Sequence, residues 1–337
     1  MNVLAAALTL VCSLAPAALQ AQSIEVIGTR AAGLGGAFVG VADDGSAAYW
    51  NPAGLAAGAY FSLVLDTGSE QAVPEDAFRG RRQSSLLLAA AMPALSFTYY
   101  RLQRTDATPH ALLLPQTGSA PAVITAPLPV RVDSLVTHHV GVTLVQSIFQ
   151  NVAVGSTLKV VRGIAGSASA GFVTADEALD DVELRGRGST RFDLDLGAMA
   201  TFGRLKAGLT LRNVREPEFG LGDEDRTLQL ERQARAGVSY AIADNWMAAA
   251  DLDLIETEDA FGARRDLAFG VEGRLTRRLT ARTGLRFNIA DNEGDGQRAF
   301  AFGGSFAARG SVWVDAAAIL GGERGGSGWR VGARFIY

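Results

Sequence analysis

The feature that most constrains the fold is a regular alternation of apolar and polar side chains along the second half of the chain. From about residue 190 onward it runs in segments of about ten residues, and turn residues separate these segments. In one segment Phe192 and Leu194 take one face, while Asp193 and Asp195 take the other. A period of two is the side-chain repeat of a β-strand, so the alternation predicts an all-β fold.

The polar positions of these segments are mostly Asp, Arg or Gly, rather than the mixed Lys, Glu and Thr of a water-facing sheet. A crowded, hydrated barrel interior has this composition. After residue 22 no run of 18 apolar residues occurs, which excludes ordinary membrane-spanning helices. The other structure that satisfies its backbone inside a bilayer is a closed barrel. We therefore predict a transmembrane antiparallel β-barrel. A soluble β-sandwich, whose strands also alternate, is the alternative.

The pattern places fourteen candidate strands along residues 59–337. Their predicted ranges are 59–66, 83–91, 94–101, 136–146, 152–162, 189–201, 204–214, 231–241, 245–255, 265–275, 279–289, 297–307, 310–320 and 327–337. Short turns alternate with longer loops, of which 102–135 and 163–188 are examples. Outer-membrane barrels show this asymmetry, with the short turns on the periplasmic side. An even number of strands then puts both termini of the chain on the periplasmic side.

Residues 1–21 are mostly apolar and almost uncharged, so they predict a secretory signal peptide cut after Ala21, although Leu19 is larger than the residue usual three positions before a cleavage site. An uncleaved membrane anchor and a lipoprotein attached at Cys12 are the alternatives. Because Cys12 is the only cysteine, cleavage would leave the exported chain without a disulfide. The 48% apolar content excludes a disordered chain, and the net charge of −4 gives no basic excess for a nucleic-acid partner.

Aromatic residues near the predicted short turns indicate an interfacial girdle. Tyr240, Trp246, Trp313 and Tyr337 all fall at that depth, where barrels place aromatic side chains. The last strand ends on an aromatic residue, Tyr337, and this ending is similar to the signal that the barrel-insertion machinery of bacterial outer membranes recognises. The sequence therefore predicts an outer-membrane location.

Residues 22–58 are small, glycine-rich and poorly periodic, which suits a compact inner element better than a barrel wall. Asp44 or Ser46 can cap a short helix at 47–50. Asn51 can cap a turn that Pro52 opens at its first position.

The run from Gly28 to Leu55 resembles the N-terminus of the FadL-type superfamily of outer-membrane proteins, and it is most similar to the PorV/PorQ, or TraF-like, branch. The triplet Asn51-Pro52-Ala53 resembles a motif of the long-chain fatty-acid transporters. The resemblance implies a fourteen-stranded barrel at 59–337, with residues 22–58 as a plug in its lumen. It also implies that small and capping residues shape or gate this plug: Gly35, Gly36, Asp44, Asn51, Pro52 and Ala53.

Two functions follow from the resemblance. The first is passive uptake of a small apolar or amphipathic ligand through the plugged barrel, and the charge of the inferred lumen argues against a purely hydrophobic solute. The second is a PorV-like role, in which the long loops bind secreted protein cargo and no solute is transported. Outer-membrane lipid is an expected partner in both.

Charged residues on the inward faces form a predicted lumen charge ladder, in which carboxylates balance guanidinium groups. Its members are Asp193, Asp195, Arg212, Arg235, Asp251, Asp253, Glu272, Arg274, Arg282, Arg286, Arg330 and Arg334. Such pairs would rigidify the barrel and set the field that a passing solute meets. We predict a role in selectivity rather than in chemistry.

The sequence predicts no catalytic residue, cofactor or metal site. The glycines at 33–36 lack the G-x-G-x-x-G spacing of a nucleotide-binding loop. Residues 291–296 resemble the start of a calcium loop, but Phe302 stands where the closing Glu belongs. His138 and His139 are neighbours on a predicted strand, so they point to opposite faces and cannot share a metal ion. We therefore expect a protein that is not an enzyme.

Overall fold

The computed structural model describes residues 25–74, 78–109, 130–169, 174–181, 186–221, 226–290 and 297–337. The predicted signal peptide, the calcium-like loop 291–296 and most of the long loop 102–135 lie outside these residues. Eighteen strands occur in the described part of the chain: β1 (Ser62–Ala72), β2 (Gly80–Met92), β3 (Leu95–Pro109), β4 (Val130–Phe149), β5 (Val152–Ser169), β6 (Arg187–Phe202), β7 (Leu205–Arg212), β8 (Glu218–Gly220), β9 (Thr227–Gln229), β10 (Gln233–Ala243), β11 (Trp246–Asp253), β12 (Thr257–Asp259), β13 (Gly262–Arg264), β14 (Asp266–Arg274), β15 (Leu279–Asn288), β16 (Arg298–Arg309), β17 (Val312–Gly321) and β18 (Ser327–Ile336).

Fourteen of these strands form one closed antiparallel barrel, which confirms the predicted fold class. The strands follow one another around the barrel in chain order, and β8, β9, β12 and β13 take no part in it. The first and last strands seal the barrel, with Leu63 opposite Phe335. Beyond the ladder, Tyr337 and Phe61 exchange two backbone hydrogen bonds of 2.9 and 3.0 Å. The seam therefore leaves no unpaired strand edge, which is what a bilayer requires.

The two faces of the wall differ in polarity as the alternation predicts. On β6 the outward Phe192 is 69% exposed, whereas the inward Asp193 and Asp195 are buried. The same contrast recurs on β10 and β11, where Val238 and Trp246 are exposed and Arg235 is buried. A sandwich would bury its apolar faces against each other. Here the apolar face lies outside and the charged face lies inside, so the sandwich alternative is wrong.

Some strands are longer than the alternation predicts, and β4 shows the reason. It begins at Val130, whereas the prediction began at residue 136. Val132 packs with a helix outside the barrel ladder, and Leu135 packs with Phe219 of the segment after β7. Because residues 132–135 are buried whichever way they point, apolar and polar positions stop alternating there.

The remaining elements are short. Helix α1 spans Thr29–Gly33, α2 spans Ala47–Trp50, a 3-10 helix spans Pro52–Ala57 and α3 spans Ala175–Asp181. Strands β8 and β9 form one hairpin, and β12 and β13 form another. Both hairpins fall in connections that were predicted as loops, because strands of three residues are too short to show a period. No helix in the described part of the chain is both long and apolar enough to cross a membrane.

The aromatic girdle is only partly as predicted. Tyr240, Trp246 and Tyr337 lie on the outward face at the short-turn end and are 50%, 41% and 74% exposed. Trp313 lies at the same end, but it pairs with Arg334 and shares the inward face of β17 with Asp315. It is therefore not part of an outer girdle, since its position in the strand has the wrong parity.

Candidate functional site

Residues 25–58, which we call the inner segment, lie inside the barrel. Phe38, Trp50 and Asn51 are at most 1% exposed. Helix α1 contacts β15, β16, β17, β18 and β1, whereas the 3-10 helix contacts β4, β5 and β6 on another part of the wall. The inner segment therefore contacts more than half of the strands of the barrel wall. These contacts with inward-facing residues fix its position in the lumen.

Inward-facing glycines let the inner segment approach the wall closely. A Cβ added to Gly197 would lie 2.3 Å from the side-chain oxygen of Asn51, and one added to Gly155 would lie 2.5 Å from the carbonyl carbon of Pro52. Several of these glycines face each other across neighbouring strands. We call the set the glycine belt: Gly155, Gly197, Gly208, Gly237, Gly270, Gly284 and Gly303. Backbone meets backbone along this belt, and no larger side chain fits there.

The predicted gating residues all lie in this contact zone. Asn51 donates to the carbonyls of Val39 and Ala198 at 3.1 and 3.0 Å, and its oxygen accepts from the Ala53 N–H at 3.2 Å. Asn51 thus caps the 3-10 helix that Pro52 opens, as predicted, and also ties that helix to β6. Gly35 and Gly36 have φ angles of +66° and +91°, which favour glycine.

The predicted cap of the helix at 47–50 is wrong in detail. Ser46 occupies the capping position but its side chain caps no helical N–H. Instead Asp44 accepts hydrogen bonds from the N–H and the hydroxyl of Ser46, at 2.9 and 2.6 Å. Asp44 also lies 3.7 Å from Arg334 on β18, so its carboxylate contributes to holding the segment against the wall.

Ion pairs and hydrogen bonds fasten the inner segment to the charge ladder. Arg30 makes a bidentate pair with Glu272, with both nitrogen–oxygen distances at 2.9 Å, and Glu272 also accepts from Arg282. Asp251 accepts from the N–H groups of Phe38 and Val39, each at 2.8 Å. Predicted ladder residues therefore bind the inner segment as well as one another.

The other arginines of the ladder have partners in the wall or in the inner segment. Arg235 lies 2.5 Å from Asp253, Arg334 lies 2.6 Å from Asp315, and Arg330 lies 3.7 Å from Asp66. Arg286 lies 2.7 Å from Glu70. Arg212 stacks on the ring of Tyr49, 3.5 Å from its centroid. Arg274 does not belong to this interior, because it is exposed at the short-turn end of β14.

Sequence reasoning missed Lys159, which joins the two carboxylates of β6. Its ammonium group lies 2.7 Å from Asp195 and 3.0 Å from Asp193, and it is fully buried. The amide oxygen of Asn213 accepts from it at 2.9 Å. The period of β5 was the available signal, because Lys159 is on the inward parity and opposite Asp193 in register.

Three elements cover the long-loop end of the barrel. Phe219 of β8 and Leu230, which follows β9, pack on Val161 and Ala165 of β5. Helix α3 packs Ala175 and Ala178 on the β3–β4 wall. The β12–β13 hairpin is held by charge, since Asp259 lies 2.5 Å from Arg81 and 3.2 Å from Arg264. The lumen is thus covered above by the two hairpins and filled below by the inner segment, whereas helix α3 packs on outward positions of the wall.

The charged hairpin makes a pH-dependent contact. Burial alone would raise the pKa of Asp259, but Arg81 and Arg264 outweigh it and hold that pKa at about 2. The stabilisation is fully present above the unfolded pKa of about 3.9 and is lost as the pH falls through about 2. We expect pepsin to cleave at Phe261 increasingly fast from pH 4 to pH 2, relative to an unrelated substrate. The Asp259→Asn variant should be cleaved quickly over this whole pH range. If the native chain and the variant had parallel pH profiles, the contact of Asp259 with Arg81 and Arg264 would not hold the hairpin in place.

Cavities within the lumen are small. One of about 10 Å³ lies between Tyr49, His139 and Arg212, and another of about 10 Å³ lies beside Asp44 and Asp66. Each has room for about one water molecule. The barrel is therefore in a closed state at both of these places. In the described part of the chain, no group of three or more His, Cys, Asp or Glu side chains is placed to hold a metal ion.

Comparisons with known proteins support the fold. A sequence profile of the family described as "F plasmid transfer operon, TraF, protein" matches residues 129–253, which is less than half of the chain. No curated protein matches the sequence significantly. Among solved structures, the CymD monoaromatic hydrocarbon channel is similar, with a TM-score of 0.65 at 11% identity over 94% of this chain and 99% of that one.

Two further structures have the same fold. A Pseudomonas aeruginosa FadL homologue gives a TM-score of 0.61 at 11% identity, over 93% of this chain and 99% of that one. The Pseudomonas putida toluene transporter TodX gives 0.55 at 12% identity, over 94% and 98%. The chain therefore has the fold of FadL-type channels. The finer likeness to PorV and PorQ stays a prediction.

Proposed function

We propose that this protein is an outer-membrane channel through which small apolar or amphipathic solutes pass without energy input. One observation carries the proposal: a closed barrel with an apolar outer face is filled by a separate segment that hydrogen bonds and ion pairs hold in place. Such contacts are reversible, so the inner segment is suited to act as a plug. The similar structures are described as a monoaromatic hydrocarbon channel and a toluene transporter, which suggests the class of solute.

The charges of the lumen restrict the kind of solute that the channel would pass. Ion pairs such as Arg30 with Glu272 line the zone that a solute would cross once the plug moves. Paired charges present both donors and acceptors, so a molecule with an apolar body and one polar group would suit this path better than a plain hydrocarbon. Opening requires movement of the inner segment, because the two lumen cavities beside it, of about 10 Å³ each, are too small for such a solute.

Deleting residues 25–58 tests the gating role. We expect the shortened barrel, reconstituted in liposomes, to pass phenol and toluene faster than the full chain, because the lumen loses its filling. Heat-modifiable gel mobility must first show that the shortened barrel is folded. If a folded barrel without the segment passed solutes no faster than the full chain, the inner segment would not be a gate.

A second function is favoured by two observations, namely the match to the TraF family profile and the covered long-loop end. In this version the protein binds exported cargo at its loops and transports nothing. Copurification of a secreted partner, lost when residues 218–229 are replaced by a short glycine linker, would support it. Liposome flux that stays at background with and without the inner segment would favour it over the channel.

A further inference from the structure

The outward face of the barrel is apolar almost everywhere, but it carries a row of basic side chains, two arginines with a histidine between them, on three neighbouring strands. Arg101 on β3 lies opposite His138 on β4, and His138 lies opposite Arg162 on β5. All three have the outward parity of their strands, and Arg162 is exposed while the other two are half-buried. Side chains that face each other in this way have Cβ atoms about 5 Å apart. We call Arg101, His138 and Arg162 the cation row.

The described strands of this wall supply no carboxylate to the row, and Asp176 of helix α3, which packs on the same face, lies 3.8 Å from Arg82 instead. The positions of outward parity on β1 to β6 carry apolar, hydroxyl, amide, glycine or basic residues, and neither Asp nor Glu. This contrasts with the lumen, where Lys159 on the same strand as Arg162 meets two aspartates. The two guanidinium groups of Arg101 and Arg162 therefore have no counter-ion on these strands, and charge at the edge of a bilayer is costly unless something outside the chain supplies the opposite sign.

The depth of the row indicates where that charge lies. Ten residues of β4 separate Ile148, at the short-turn end, from His138. At about 3.3 Å per residue and a strand tilt of about 40°, that distance spans about 25 Å along the barrel axis, which is the height of the apolar belt of such barrels. Val140, Val142 and Leu144 lie in this interval and are exposed, and the exposed Gln146 follows them toward the short turn. The row therefore lies at the upper edge of the belt, at headgroup level on the long-loop side.

The local contacts leave the row available to a ligand. Tyr99 stacks on His138, and its hydroxyl lies 2.9 Å from the ring Nδ1, which fixes the ring. Arg101 donates to the side chain of Gln103 at 2.7 Å, a neutral partner that leaves its charge uncompensated. The guanidinium of Arg162 extends toward Gly188 of β6, where no side chain blocks it. The three groups thus form a fixed, open set of donors.

We propose that the cation row binds the phosphate of a phosphorylated lipid in the outer leaflet. Two guanidinium groups match phosphate oxygens in charge and in hydrogen bonding, and the imidazole between them adds a hydrogen-bonding group. The exposed valines and leucines directly below the row offer a surface for acyl chains. The proposal rests on the outer-membrane location but not on transport, because it concerns the outer wall and leaves the lumen untouched.

The test uses the full folded barrel in a neutral detergent. Native mass spectrometry would compare retention of a phosphorylated glycolipid with that of the same lipid after removal of its phosphates. We expect selective retention of the phosphorylated form. The Arg101→Gln/Arg162→Gln double variant should bind it at least about tenfold more weakly than the native chain does. Heat-modifiable mobility should be unchanged in this variant, because both side chains lie on the outer surface.

The matched control is Arg298→Gln, which removes an exposed outward arginine at the long-loop end of β16, away from the row. It should retain the lipid as the native chain does. Equal retention by both variants, or equal retention of the dephosphorylated lipid, would overturn the proposal. Displacement of the lipid by inorganic phosphate at comparable concentration would also overturn it, because the row would then be a site for a soluble anion. Solute flux in liposomes is a separate readout, so failure here leaves the channel proposal to its own test.

Discussion

Gly284→Ala should detach the first turn of the inner segment from the wall and lower the free energy of unfolding by about 1–3 kcal/mol. A Cβ at this position would lie 2.2 Å from the Gly35 nitrogen and 2.2 Å from the Leu34 carbonyl carbon. Both atoms belong to the backbone, so no side-chain rotation relieves the overlap. Gly35 also holds a φ angle of +66°, which limits how the turn can be rebuilt. The turn therefore has to move away from β15.

Hydrogen exchange measures this movement directly. The Gly35 and Gly36 amides donate to the carbonyls of Ala32 and Ala31 at 2.9 Å, and their exchange should accelerate in the variant. Gly304→Ala is the matched control, because Gly304 has the outward parity on β16 and the nearest atom to its added Cβ is the Thr280 oxygen at 3.4 Å. If both variants exchanged these amides at the native rate, the close approach would not be a constraint.

The barrel itself was predictable because lumen and exterior impose opposite polarity on successive residues. That rule holds for Asp193 and Asp195 inside and for Phe192 outside, and it located all fourteen strands. It fails where a residue is buried on either face, as at Val132, and where an aromatic residue has the inward parity, as at Trp313. The position of a residue along its strand, odd or even, predicts whether its side chain faces the lumen or the exterior. It does not predict which other element packs on that face.

Partners across the lumen were not predictable in the same way. The sequence shows that Asp251 faces inward, and balance by arginines was the natural expectation. The structure instead gives its carboxylate two backbone N–H groups that are 212 and 213 residues away in the chain. Such a pairing depends on how the inner segment sits in the lumen, which no local pattern records. By contrast, the cap made by Asn51 was predictable, because its partner Ala53 is two residues away.

That distant pairing makes Asp251→Ala the substitution with the largest expected loss of stability, about 2–5 kcal/mol, because two buried N–H groups lose their acceptor at once. Removal of the carboxylate leaves the Phe38 and Val39 N–H groups buried without an acceptor. Asp251→Asn keeps one acceptor oxygen without charge, so its loss should be smaller. Urea unfolding in lipid vesicles, followed by tryptophan fluorescence, gives the free energies of unfolding of the native chain and of the two variants.

The Asp244→Ala variant is the control, since Asp244 is fully exposed on a turn, 3.6 Å from Arg204. This variant should unfold like the native chain. Coincident curves for Asp251→Ala and Asp244→Ala would mean that this carboxylate does not hold the inner segment in the barrel.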